Sequence, residues 1–123
     1  MTAVRPGLCK IATLAMIAAA PASATYSSSC GGKGQTPDIQ LVVNGAGEVV
    51  KSDFRQLGRP ILTEPSLRWQ IRADYQMILM TAYRRTGQPV ARLRLRPIRQ
   101  SGEWTGTFVL GRRTYWIRCD GFG

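Results

Sequence analysis

The sequence predicts an all-β protein: a small antiparallel meander of about seven strands that closes into a barrel or a sandwich, with one disulfide and at most one short helix. Three observations predict it. From Leu67 onward, large apolar residues alternate with polar ones at a period of two, which is the signature of strands buried on one side. Turn residues recur between these runs, at Asn44-Gly45, Gly87 with Pro89, Ser101-Gly102 and Gly111-Arg112. Two cysteines, Cys30 and Cys119, stand near the two ends of the region that carries this pattern.

The chain divides into three parts. Residues 1–24 read as a signal peptide: Arg5 and Lys10, an apolar run from Ile11 to Ala20, then Pro21 and the small residues Ala22-Ser23-Ala24. That run is too short to span a bilayer as a helix. Cleavage after Ala24 removes Cys9, so an exported protein, periplasmic or secreted, keeps Cys30 and Cys119, which an oxidising compartment joins. Lipidation at Cys30 is the rival, but Ser27-Ser28-Ser29 precedes it in place of a leucine-led motif. Residues 25–37, rich in Ser and Gly, read as a flexible N-terminal arm. Residues 38–123 then form a single β domain, long enough for one modest core.

Within that domain, Ile39 to Val43 and Glu48 to Val50 flank Asn44-Gly45 as a hairpin. A three-residue loop pairs Leu41 with Val49, and a two-residue loop pairs it with Glu48, so the register stays open. Ser52 to Gly58 reads as the one short helix, with Ser52 as cap, Asp53 at its positive end and Gly58 as its stop. Leu67, Trp69, Ile71, Ala73, Tyr75 and Met77 then occupy alternate positions. A helix from Ser66 to Arg85 would line up Leu67, Ile71, Tyr75, Ile78 and Ala82 but leave Trp69 and Met80 off the apolar stripe, so strands fit better.

Seventeen residues outrun one strand, so a turn falls near Asp74-Tyr75 and pairs Ile71 with Ile78 and Trp69 with Met80. The turn across Arg84 to Pro89 sets Met80 opposite Leu93 and Ile78 opposite Leu95. Ser101-Gly102 sets Leu95 opposite Phe108 and Leu93 opposite Leu110. Gly111-Arg112 sets Phe108 opposite Tyr115 and Trp104 opposite Cys119. All these turns keep the large apolar residues, and Cys119, on one face, which a slip of a single residue would destroy.

The opposite face is the candidate functional surface. Arg92, Arg94 and Arg96 alternate with Leu93 and Leu95, and the pairings add Thr107, Trp116 and Arg118 beside them. Pairing Arg94 with Val109 places Arg96 and Trp116 on either side of Thr107. Guanidinium groups bind phosphate and carboxylate bidentately, threonine hydroxyls add neutral hydrogen bonds, and an indole stacks on a sugar, a base or a guanidinium. Removing the leader takes the 17 basic residues to 15, thirteen of them arginine, against 7 acidic ones, and the net charge from +10 to +8.

Such a chain suits an anionic envelope component: lipopolysaccharide, an acidic glycan or phospholipid head groups. The alternative is an interaction or inhibitor module that docks an acidic protein or a second copy of itself. Single-stranded nucleic acid fits the chemistry but not an exported protein. A plain solvated surface is the bland reading of the same arginines.

Catalysis finds little support. There is no histidine, the commonest general base and a common metal ligand. The seven carboxylates, Asp38, Glu48, Asp53, Glu64, Asp74, Glu103 and Asp120, show no paired spacing. Oxidised cysteines offer neither a nucleophile nor a zinc ligand. Gly31-Gly32-Lys33-Gly34 lacks the strand and helix of a phosphate loop, and no cofactor motif is present.

Overall fold

A computed structural model of the chain describes residues 24–122. The leader read over residues 1–24 lies, except for Ala24, outside the described residues. Nine strands follow in order: β1 (Thr25–Gly31), β2 (Asp38–Asn44), β3 (Val49–Gln56), β4 (Arg59–Pro60), β5 (Arg68–Ala73), β6 (Ile78–Tyr83), β7 (Pro89–Pro97), β8 (Trp104–Leu110) and β9 (Arg113–Cys119). They form one antiparallel sheet in the order β4-β3-β2-β1-β9-β8-β7-β6-β5. The sheet curls into a half-barrel that is not closed, with nine strands where about seven were expected. Across the opening, Phe54 of β3 stacks on Trp69 of β5 at 5.3 Å.

The concave side holds the core. Ile39, Leu41, Met80, Leu93, Leu95 and Phe108 lose all contact with solvent, and Phe108 stacks on Phe54 at 5.5 Å. Gly106 sits on this side of β8, where an added β-carbon would fall 1.7 Å from the Arg94 carbonyl oxygen. The missing side chain lets β7 and β8 approach closely where the sheet bends.

Cys30 and Cys119 are disulfide-bonded and face each other across the β1–β9 junction. Among the described residues this is the only junction between strands that are not neighbours in the chain. It carries two register pairs, Arg118 with Gly31 and Cys119 with Cys30. The Asp120 N–H donates to the Ser29 carbonyl at 3.0 Å, and the Ser28 hydroxyl donates to the Asp120 carbonyl.

The N-terminal half differs from expectation. Residues 25–31 of the expected flexible arm are β1, a central strand held between β2 and β9. The stretch from Ser52 to Gly58 is no helix. Ser52 to Gln56 belong to β3, and Leu57 and Gly58, at φ 52° and 78°, make a two-residue turn into β4. Such a turn needs positive φ at both positions, which glycine tolerates and leucine does not favour. Among the described residues there is no helix at all.

The Asn44-Gly45 hairpin is present, with Asn44 Oδ1 accepting the Ala46 and Glu48 N–H groups at 3.0 Å each. Neither expected register holds. Val43 pairs with Val49, Val42 with Lys51, and Leu41 with Ser52. The pairing skips Val50, a bulge that turns Phe54 inward and Asp53 outward.

In the C-terminal half, the pairings of Met80 with Leu93, Ile78 with Leu95, Phe108 with Tyr115 and Trp104 with Cys119 are as expected. Two hairpins are offset by two residues. Ala73 pairs with Ile78 and Ile71 with Met80, because Asp74 and Met77 close the turn and Asp74 Oδ1 accepts the N–H groups of Gln76 and Met77. Leu93 pairs with Phe108 and Leu95 with Gly106, the turn closing between Ile98 and Glu103. An offset of two keeps every residue on its expected face but changes its neighbours.

Candidate functional site

The convex side of β5 to β9 is the arginine face. Arg92, Arg94 and Arg96 of β7 alternate with Ala91, Leu93 and Leu95, which fill the core. Three rows cross the strands. One runs Trp116, Thr107, Arg94, Leu79, Arg72. A second runs Gly31, Arg118, Thr105, Arg96, and a third runs Thr114, Val109, Arg92, Thr81, Gln70.

The two-residue offset changes the pairs on this face: Arg94 faces Thr107, where Val109 was expected, and Arg96 faces Thr105, where Thr107 was expected. Arg94, not Arg96, lies across Thr107 from Trp116, roughly 10 Å away at two strand spacings. Arg96 instead shares a row with Thr105 and Arg118. Arg92, Arg94, Arg96, Trp116 and Arg118 thus occupy adjacent rows of one surface, with Thr107 half-buried between them.

Their chemical states differ. Arg118 is committed to Glu103, whose Oε1 accepts Nε at 3.0 Å and Nη2 at 2.5 Å. That hydrogen bond holds the Glu103 carboxyl below its ordinary value, with Arg118's charge and the Ser101 hydroxyl adding to it against a smaller opposing effect of burial. Arg92 Nε reaches only the Thr81 hydroxyl, at 3.3 Å. Among the described residues the ion pairs are Arg55 with Asp53 and Arg118 with Glu103, so Arg92, Arg94 and Arg96 have no carboxylate partner. Thr105 is also spent, donating to the Ile117 carbonyl at 3.1 Å. Trp116 is 77% exposed, the most exposed large apolar side chain described.

Sequence reasoning missed Glu103 as the partner of Arg118, which became visible only once the loop before β8 was placed beside β9. It also missed a cavity of about 350 Å³ at one end of the half-barrel, where Tyr26, Val43, Ile78, Trp104 and Phe122 meet. The Tyr75 hydroxyl donates to the Gly45 carbonyl at its rim. Among the described residues, no group of three His, Cys, Asp or Glu side chains is placed to hold a metal ion. No helix among them is long and apolar enough to cross a membrane. No protein-family model, curated protein or solved structure matches the chain.

Proposed function

We propose that this protein is an exported binding module whose arginine face holds an anionic component of the cell envelope. It acts by binding rather than by chemistry. What supports the reading is the one-sided placement of charge. Strands β5 to β9 carry seven arginines and no carboxylate, whereas β1 to β4 carry three basic residues against two acidic ones. A surface that needs only solubility mixes the two signs, and a surface of one sign attracts its counter-charge. The centre of the site is Arg92, Arg94 and Arg96 with Trp116 beside them, and Arg118 joins when it leaves Glu103.

The test uses immobilised lipopolysaccharide and immobilised polygalacturonate as probes. The Arg94→Gln/Arg96→Gln variant loses retention on whichever probe binds the parent, with its melting temperature almost unchanged. Retention equal to the parent's refutes the reading. A second reading, docking of an acidic protein, is favoured by the exposure of Trp116, since a desolvated aromatic anchors protein interfaces. Salt separates the two: arginine contacts to a charged polymer weaken steeply with ionic strength, and an indole-centred interface only modestly.

A further inference from the structure

We propose that the ligand of the arginine face is the anionic surface of a lipid bilayer, met by a two-dimensional array of guanidinium groups with one indole among them; this rests on the arginine-face reading above. The array follows from the topology. Outward arginines stand on alternate strands: Arg68 and Arg72 on β5, Arg92, Arg94 and Arg96 on β7, and Arg118 on β9. The outward positions of the strands between them hold neutral residues, half-buried Leu79 and buried Thr81 on β6 and Thr105, Thr107 and Val109 on β8. Along β7 the arginines repeat about every 6.7 Å, and the columns lie about 9.6 Å apart. A linear polyanion follows one column and leaves the others unmatched. A plane of phosphate groups tangent to the face meets the β7 column along its length and comes nearest the columns that flank it.

The shape of the face agrees. It is the convex side of the half-barrel, and its depressions are open grooves. One of about 350 Å³ lies between Arg94, Arg96 and Thr107, and one of about 520 Å³ between Gln70, Leu79 and Arg92. A convex face without an enclosed pocket rests against a flat partner and does not surround a small one.

Trp116 supplies the third argument. Trp69 and Trp104 each pack against another ring, Phe54 and Phe122, but Trp116 is in no such pair and stands out among the arginines. An indole has an apolar body and one N–H, and it settles at the boundary between head groups and acyl chains. The arginine stems around it, with Leu79 and Val109 half-buried between them, lie along the same boundary while the guanidinium groups stay at phosphate depth.

The experiment uses protein recovered after export, its N-terminus defined by intact mass. The probes are vesicles of phosphatidylcholine alone and of phosphatidylcholine mixed equally with phosphatidylglycerol, together with soluble polygalacturonate, polyphosphate and an oligodeoxynucleotide. The protein sediments with the mixed vesicles and not with phosphatidylcholine alone. Each of Arg92→Gln, Arg94→Gln and Arg96→Gln lowers partitioning about fivefold, the factor set by one surface charge near an anionic leaflet. Acrylamide quenching of tryptophan fluorescence falls when vesicles are added, and this protection is missing in Trp116→Phe. Circular dichroism identical to the parent's shows that the variants are folded. Binding to soluble polyanions without vesicle binding overturns the bilayer proposal and leaves the anionic-ligand reading standing. Binding to neither overturns both. Vesicle binding that survives all three arginine substitutions together places the membrane contact elsewhere and also refutes the proposal.

Discussion

Reducing the Cys30–Cys119 bond is expected to remove a large part of this protein's stability. The bond spans 89 residues, and closing a loop of that length stabilises by roughly 4.5 kcal/mol in the chain-entropy model. Its position adds to its weight. Each hairpin of β5 to β9 has six or seven register pairs, but the β1–β9 junction has two, and the disulfide is one of them. The disulfide therefore fastens β1 to β4 onto β5 to β9 at a junction of two register pairs. Stacking of Phe54 on Trp69 and Phe108 also joins the halves, as do the hydrogen bonds of the Ser28 hydroxyl to the Asp120 carbonyl, the Tyr75 hydroxyl to the Gly45 carbonyl and the Gln56 amide to the Tyr115 hydroxyl.

A domain of this size has a total stability of about 5–15 kcal/mol, so losing about 4.5 removes roughly 30% of it at the upper end of that range and nearly all of it at the lower end. At about 4–5 °C per kcal/mol, the melting temperature drops by roughly 20 °C. Urea unfolding followed by far-UV circular dichroism, with and without reductant, measures the effect. The Cys30→Ala/Cys119→Ala variant should behave like the reduced parent and ignore reductant. Hydrogen exchange should show β1 to β4 losing protection first. A reduced protein within about 1 kcal/mol of the oxidised one refutes the reasoning, because the halves would then be held by packing alone.

Phe108→Ala should cost about 3–5 kcal/mol in the same urea assay, because Phe108 is fully buried and stacks on Phe54, whereas Arg94→Gln should stay within about 0.5 kcal/mol of the parent. Gly106→Ala should destabilise more than an exposed strand substitution, by more than about 1 kcal/mol, because its methyl group meets the Arg94 carbonyl and not a flexible side chain. Glu103 titrates below its ordinary value when folded, so its stabilisation is complete above that ordinary value and is lost as pH falls through the lower folded one. Glu103→Gln should flatten that acid-side decline and, by freeing Arg118, increase retention on whichever anionic probe binds the parent at neutral pH. Thr107→Glu places a carboxylate across from Arg94; it should raise stability by about 0.2–1 kcal/mol while weakening retention on that probe.

The C-terminal half was legible because its alternation is strict and its turns carry glycine at the required places. Gly87 and Gly111 adopt positive φ in the two hairpins whose registers were read correctly. Where the reading slipped, it slipped by two, since turn residues mark where a chain reverses and not how many residues the reversal uses. Apolar parity is blind to that error. The faces were therefore right, and the cross-strand neighbours in the two offset hairpins were wrong: Arg94 faces Thr107 where Val109 was expected, and Arg96 faces Thr105 where Thr107 was expected.

In the N-terminal half the signals mislead. Serine has little preference for strands, and Thr25 to Gly31 is a strand because β2 and β9 flank it, which local sequence does not record. In β3 the bulge at Val50 breaks the alternation, so that Val49, Ser52 and Gln56 recur at helical spacing. A residue inserted into a strand looks, in one dimension, like a turn of helix.

The neighbours of the β7 arginines also bear on whether this face is only a solvated surface. Cross-strand pairs of opposite charge are an ordinary way to stabilise an exposed sheet face. Here Arg92 is flanked by Val109 and Thr81, and Arg94 by Thr107 and Leu79. Arg96 has Thr105 on one side. None of these positions holds a carboxylate, although glutamate or aspartate would fit any exposed strand position without disturbing the core. The fold therefore carries three unpaired guanidinium groups on one strand and gives up cross-strand pairs worth about 0.2–1 kcal/mol each. Solubility explains the presence of charge on this face but not its single sign. The anionic partner proposed above would account for both, because it would supply from outside the counter-charge that the sheet omits.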